Sequence, residues 1–278
     1  MGRLAMRNAM LILSGLLVVT FASAAFAGTV MVIETWSYDQ FSESGTHTWY
    51  LEPTKARIEF KTSDEETWVI YDLTNKEDYV MYVIEPATRT YTKLDKGTLD
   101  KAEGKMREGM EMMENYMSSM PAEQRDAIKK QYGKQIRQAE KMMYYEDRMK
   151  DMKYEKVGEG EAYNEWTCDH FKGTFKDEVY KEIWVAPYKE LGVDYDDLAV
   201  LASMAEMFKG FAGEMIPFMD KEAEGDGGVL SGFPVKTLLF EDGKKIIKQE
   251  VKEVRKEDVD AAKFELPEGY DEQEPQFQ

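Results

Sequence analysis

The sequence predicts an α+β fold, an antiparallel sheet of many short strands interrupted by a helical insertion. Three observations carry this. Residues 29–99 are a succession of short β-branched and aromatic runs separated by turn residues. Residues 99–152 change character, with Met106, Met110, Met113, Met117 and Met120 recurring at alternating spacings of four and three, a stripe on one helix face. The strand pattern then resumes at 153 and ends in a pair of runs joined by Asp242-Gly243, a strong hairpin signal.

In order along the chain, residues 1–27 read as a cleaved export signal. Arg3 and Arg7 precede an apolar stretch from Ala9 to Phe21, and Ala25-Phe26-Ala27 offers the small residues that a signal peptidase reads. No cysteine stands at the cleavage point, and no later run approaches the about twenty apolar residues of a membrane-spanning helix. A periplasmic or secreted protein without stable membrane insertion is expected. Strands are then predicted over 29–36, 46–51, 56–60, 67–71, 78–84 and 88–94. Tyr79, Met81 and Val83 alternate with Val80, Tyr82 and Ile84, so that strand is apolar on both faces and is either covered twice or curved around something apolar. The methionine helix should stop near Pro121, which suits the first turn of a second helix carrying Ile128, Tyr132, Ile136, Ala139 and Met143. Strands follow over 153–159, 165–175 and 178–186. Asp194, with Asp197 three residues on, caps a third helix striped by Leu198, Leu201, Ala205, Phe208 and Ala212. The last strands are 233–240 and 245–254, and an acidic tail over 271–278 is expected to be disordered.

Composition narrows the chemistry. Cleavage leaves 251 residues (278 less 27) holding 54 acidic and 34 basic side chains, a net charge of −20, which makes nucleic acid a poor partner. Cys168 is the only cysteine and forbids an intramolecular disulfide; His47 and His170 are the only histidines, too few for a multi-histidine zinc site. There is no glycine-rich phosphate loop, no G-x-S-x-G, no H-E-x-x-H and no C-x-x-C. Cys168 and His170 share a strand face and could form half of a metal or nucleophile site, but Trp166 lies on the same face and a packed aromatic patch explains the spacing equally. The methionine stripe has three readings: packing between helices and sheet, an adaptable apolar lid, or thioether ligands for Cu(I). Pairs such as Asp196-Asp197 and Glu65-Glu66 are what so acidic a chain produces by chance.

The order of several short motifs resembles a family. Ala56-Arg57-Ile58-Glu59, Val69-Ile70-Tyr71-Asp72, Thr88-Arg89-Thr90-Tyr91-Thr92, Trp166-Thr167-Cys168, Glu182-Ile183-Trp184-Val185-Ala186, Gly232-Phe233-Pro234-Val235 and Phe264-Glu265-Leu266-Pro267-Glu268-Gly269-Tyr270 follow in the order seen in the exported bacterial proteins called domain of unknown function 4412. More distantly the chain resembles the Lol-type lipoprotein carriers. The second resemblance implies a curved antiparallel sheet with helices over its concave apolar side; with the elements above, the expected fold is an open antiparallel half-barrel of roughly nine to eleven strands, with the helical hairpin and the third helix over the concave face. Residues 28–270 would then be one domain, with 99–152 an inserted helical hairpin. The expectation is a non-enzymatic binding protein for a lipid or acyl chain, with no cofactor and no metal. Its wall residues would be Trp36, Trp49, Trp68, Met81 and Trp184, and its lid residues Met106, Met110, Met113, Met117 and Phe208. A Cu(I)-handling protein and a ligand-free envelope interaction module are the alternatives.

Overall fold

The computed structural model describes residues 28–38, 44–75, 79–121, 124, 151–207 and 232–275. Its strands are β1 (Gly28–Ser37), β2 (Gly45–Glu52), β3 (Lys55–Lys61), β4 (Glu66–Asp72), β5 (Val80–Glu85), β6 (Thr90–Asp95), β7 (Lys153–Tyr163), β8 (Trp166–Phe175), β9 (Glu178–Ala186), β10 (Phe233–Glu241), β11 (Lys244–Glu257) and β12 (Asp271–Gln273). The helices are α1 (Lys96–Ser119) and α2 (Ala199–Met207), with 3₁₀ turns at Tyr188–Leu191, Tyr195–Leu198 and Ala261–Phe264. All of these strands, among the described residues, lie in one sheet, in the order β12-β6-β5-β4-β3-β2-β1-β11-β10-β9-β8-β7.

This corrects the expected antiparallel half-barrel of the carrier kind. The sheet has twelve strands, it is mixed because β12 runs parallel to β6, and it is open, with β12 and β7 as separate edges. The tail is also ordered further than expected. Beyond Tyr270 the chain forms β12, and the Asp271 amide donates to the Arg89 carbonyl at 3.0 Å. Gly269, with φ at 74°, makes the turn into it; a Cβ there would strain the backbone and meet the Arg89 guanidinium at 2.9 Å.

The first and last blocks of the chain meet at the centre. β1 pairs antiparallel with β2 on one side and β11 on the other, which joins a six-strand meander to the carboxy-terminal strands. The β10–β11 turn has Asp242 at φ 50° and Gly243 at φ 72°, the left-handed pair that matches the twist of a tight hairpin. Of the expected helical hairpin, the first arm is α1, begun by Asp95, whose carboxylate accepts from the Thr98 amide at 2.8 Å. The second arm lies outside the described residues. The expected third helix begins as the 3₁₀ turn at Tyr195, where the Asp197 carboxylate accepts from the Asp194 amide at 2.7 Å and pairs with Lys256 of β11 at 2.6 Å.

Candidate functional site

Cross-strand partners point to the same face of a sheet, so the register builds the site directly. One row runs Met31, Trp49, Ile58, Val69, Val83 across β1 to β5. The next runs Leu51, Ala56, Tyr71, Met81, Leu94 across β2 to β6. Both belong to the main apolar core, which Leu191, Val193, Leu198, Val200, Leu201 and Met204 from the helical segment after β9 complete. These helical residues pack over β1, β2 and β3. Farther along the same face, Phe60, Val69, Val83, Leu94 and Tyr79 pack against the core but stay partly exposed. The result is an apolar face that is closed over its centre and half-open over β3 to β6.

A row of polar side chains crosses β1, β11 and β10. Thr35, two residues beyond Ile33 on β1, is directly opposite Gln249 of β11. Gln249 is in turn opposite Thr237 of β10. On the other side, Ile33 is opposite His47 of β2. The Thr35 and Thr237 hydroxyls and the Gln249 carbonyl oxygen are buried, and none has a hydrogen-bond partner among the described residues. His47 packs edge-on against Phe60 with ring centroids 4.8 Å apart, and burial pulls its imidazole down to about 4, so it is neutral near pH 7.

The structure places the expected wall residues in three settings. Trp49 and Met81 lie on the apolar face, both buried. Trp68 is one residue out of phase with it and lies on the opposite face, while Trp36 pairs across to Lys248 of β11 near the end of β1. Trp36 carries the Lys248 and Lys252 ammonium groups at 4.2 and 4.9 Å, and Trp68 carries the Arg57 guanidinium at 4.1 Å. That opposite face is covered near β1 to β4 by the segment after β11, where Val259 and Phe264 pack on Val30 and Tyr50. Arg57 donates to the Lys263 carbonyl at 3.2 Å and pairs with Glu59 at 2.7 Å. Trp184 is buried between neighbours: it stacks on His170 at 3.9 Å, carries the Lys236 ammonium at 3.9 Å, and donates its indole N–H to Glu161 at 2.8 Å. Of the expected lid, Met117 is half-buried on α1. Met106, Met110 and Met113 are on the α1 backbone with side chains outside the described residues, as is the whole of Phe208. Exposed Met112 and Tyr116 sit on the same helix.

Two features escaped the sequence. The first is the row of buried polar atoms at Thr35, Gln249 and Thr237, which no pattern within a single segment marks. The second is an ionic knot on β11. Burial opposes charge on Glu250, but hydrogen bonds from Lys248, Lys252 and Tyr163 outweigh it and hold the carboxyl down to about 2. Both lysines reach it at 2.7 Å. Cys168 points into the core, where burial, and then Glu190, Asp169 and Glu161, push its thiol up to about 11; such a thiol is a poor nucleophile. Among the described residues, no group of three or more His, Cys, Asp and Glu side chains could hold a metal ion. No described helix is long and apolar enough to cross a membrane.

The sequence profile of the family described as domain of unknown function (DUF4412) matches residues 100–270, more than half of the chain. The chain belongs to the DUF4412 family. The part matched in this DUF4412 protein runs from α1 to the turn before β12, so it includes the helical cover and the ionic knot but not β1 to β6. No curated protein matches the DUF4412 chain. Among solved structures, one described as "Structure of PNGF-II in C2 space group" aligns with 89% of this chain and 30% of its own, at 7% identity and a TM-score of 0.32. The DUF4412 chain thus spans under a third of that protein, and a score so low carries no argument about fold or activity. The resemblance to the Lol-type carriers is not confirmed.

Proposed function

We propose that this chain is an exported, non-enzymatic binding protein that holds an apolar ligand, a lipid or acyl chain, against the apolar face of its sheet. The observation that carries the reading is the half-open strip of Phe60, Val69, Val83 and Leu94, continuous with a fully buried core. Contiguous apolar patches left partly open are where ligand grooves and interaction sites occur. An alkyl chain laid along the strip would gain about 0.8 kcal/mol per buried CH₂, before the costs of ordering it. The helix α1 that carries the methionine stripe starts directly after β6, and methionines suit an adaptable cover because an unbranched thioether fits apolar shapes of many kinds. Export rests on the signal-like residues 1–27. A non-enzymatic role is consistent with the protonated thiol of Cys168 and the neutral imidazole of His47.

The test is native mass spectrometry of the chain purified from a periplasmic fraction, followed by solvent extraction and lipid analysis. A co-purifying acyl species is the expected result. A clean ligand-free mass, with no uptake of added lipid, would overturn the reading in favour of a ligand-free interaction module.

A further inference from the structure

Tyr71 of β4 is the largest fully buried side chain among the described residues, 1% exposed, and its hydroxyl has no hydrogen-bond partner there. A buried polar atom in that condition is rare and costly in a folded protein. Phenylalanine would fill nearly the same space without the cost, so packing alone gives no reason for the oxygen. Of the buried polar atoms without a partner among the described residues, the Tyr71 hydroxyl is the one carried by β3 to β6, the strands of the half-open apolar strip.

Register puts Tyr71 on the same face as that strip. It is two residues beyond Val69 on β4, so both side chains leave one side of the sheet. It stands opposite Met81 of β5, and Met81 stands opposite Leu94 of β6. The pairings from β2 to β6 run without a register shift, so this phase holds across all of them. Tyr71 and Met81 belong to the main core, and Val69 and Leu94 pack against it. Beyond Tyr71 comes Tyr79, half-buried, with ring centroids 6.3 Å apart. Burial raises the Tyr79 phenol above its ordinary value, and Lys96, Asp100 and Asp95 also act on it, which places the start of α1 beside this end of the strip.

The chemistry selects the ligand's polar end. Burial, and then Tyr79, push the Tyr71 phenol up to about 12, so at neutral pH it is an O–H donor. A donor on an apolar face calls for an acceptor oxygen. No cation acts on this phenol as Lys96 acts on Tyr79, and Lys96 is itself paired with Asp100 at 3.4 Å. A carboxylate or phosphate drawn in against Tyr71 would be a buried charge without a counter-ion, which costs far more than one hydrogen bond returns. We propose that the Tyr71 hydroxyl is the polar anchor of the ligand site, donating to the carbonyl oxygen of an uncharged acyl ester whose chain lies along Val69, Val83 and Leu94. The assignment rests on the apolar-ligand reading above, and it adds a preference for the ester over the free acid.

The experiment measures binding of three probes to the mature chain and to its Tyr71→Phe variant: methyl oleate, oleate at pH 8, and 1-octadecene, which has no acceptor oxygen. Urea unfolding of both chains without ligand is the second readout. Wild type should bind methyl oleate more tightly than oleate. The variant should lose about tenfold in affinity for methyl oleate, as one buried hydrogen bond is lost, while octadecene binds both chains equally. Without ligand the variant should resist urea at least as well as wild type, because it no longer buries a donor that has no partner. Equal methyl oleate binding by the two chains, tighter binding of oleate than of its ester by wild type, or a lower urea midpoint for the variant each overturns the anchor, and octadecene binding then keeps the apolar-ligand reading in place. Binding of none of the three probes by wild type overturns both.

Discussion

His170 of β8 lies flat on Trp184 of β9, with ring centroids 3.9 Å apart and planes 16° from parallel. The same indole donates to Glu161 of β7 at 2.8 Å, and Glu161 also approaches the imidazole at 3.5 Å. One aromatic residue thus ties three edge-side strands together. Trp184→Phe keeps most of the stacking and removes only the donor, and should cost about 1–2 kcal/mol. Trp184→Ala should cost about 3–5 kcal/mol, because a cavity is added to the loss. Urea unfolding of both variants checks the gap between them; equal losses would show that the indole–carboxylate bond contributes nothing.

Acid should destabilise this protein in two separate windows. His47 is depressed to about 4 from its ordinary 6.5, so the unfolded chain binds that proton first and stability falls as pH drops from about 6.5 to 4. Glu250 is depressed to about 2 from 4.5, so its contribution is complete above 4.5 and is lost between about 4.5 and 2. Thermal unfolding measured from pH 8 to pH 3 should show both slopes. His47→Gln should flatten the upper one alone; an unaltered slope would mean that His47 is not buried neutral.

Glu250 is the counter-ion of two lysines at once. Glu250→Gln leaves Lys248 and Lys252 without it and should cost on the order of 2 kcal/mol. Raised salt should narrow the difference from wild type only slightly, because the carboxylate itself is buried. A difference that vanishes in high salt would mark the knot as a solvent-exposed pairing.

Cys168 should resist a thiol reagent in the native state at pH 8 and react at once in urea, since its thiol is buried and held protonated. Rapid native labelling would contradict the buried placement.

Removing residues 271–278 takes away β12 and leaves β6 as a bare edge. The pairing is short, so stability should fall by only about 1 kcal/mol, but an unpaired edge is a template for association. Size-exclusion chromatography of the truncated chain should show concentration-dependent self-association that the full chain lacks. A monomeric truncated chain would show that β6 needs no cover.

Much of the local structure was legible in the sequence. Eleven strands were expected within a few residues of where they form, because the alternation that marks a strand is contained in a few consecutive side chains. The Asp242-Gly243 turn and the Asp194/Asp197 start were legible for the same reason: each depends on the backbone of its own neighbours. β12 was not, since three exposed acidic and amide residues, Asp271 to Gln273, carry no pattern, and only the β6 edge and Arg89 order them. Aromatic content alone could not divide the tryptophans. Trp68 and Trp49 both read as wall residues, and a single step in strand phase puts one under an arginine and the other in the core. Thr35, Gln249 and Thr237 come from opposite ends of the chain, and each is unremarked in its own segment. Which residues form strands is written in spacings of two; which strands become neighbours, and so which polar atoms end up side by side without partners, is decided only when β1 docks against β11, because that contact depends on the burial of both faces together.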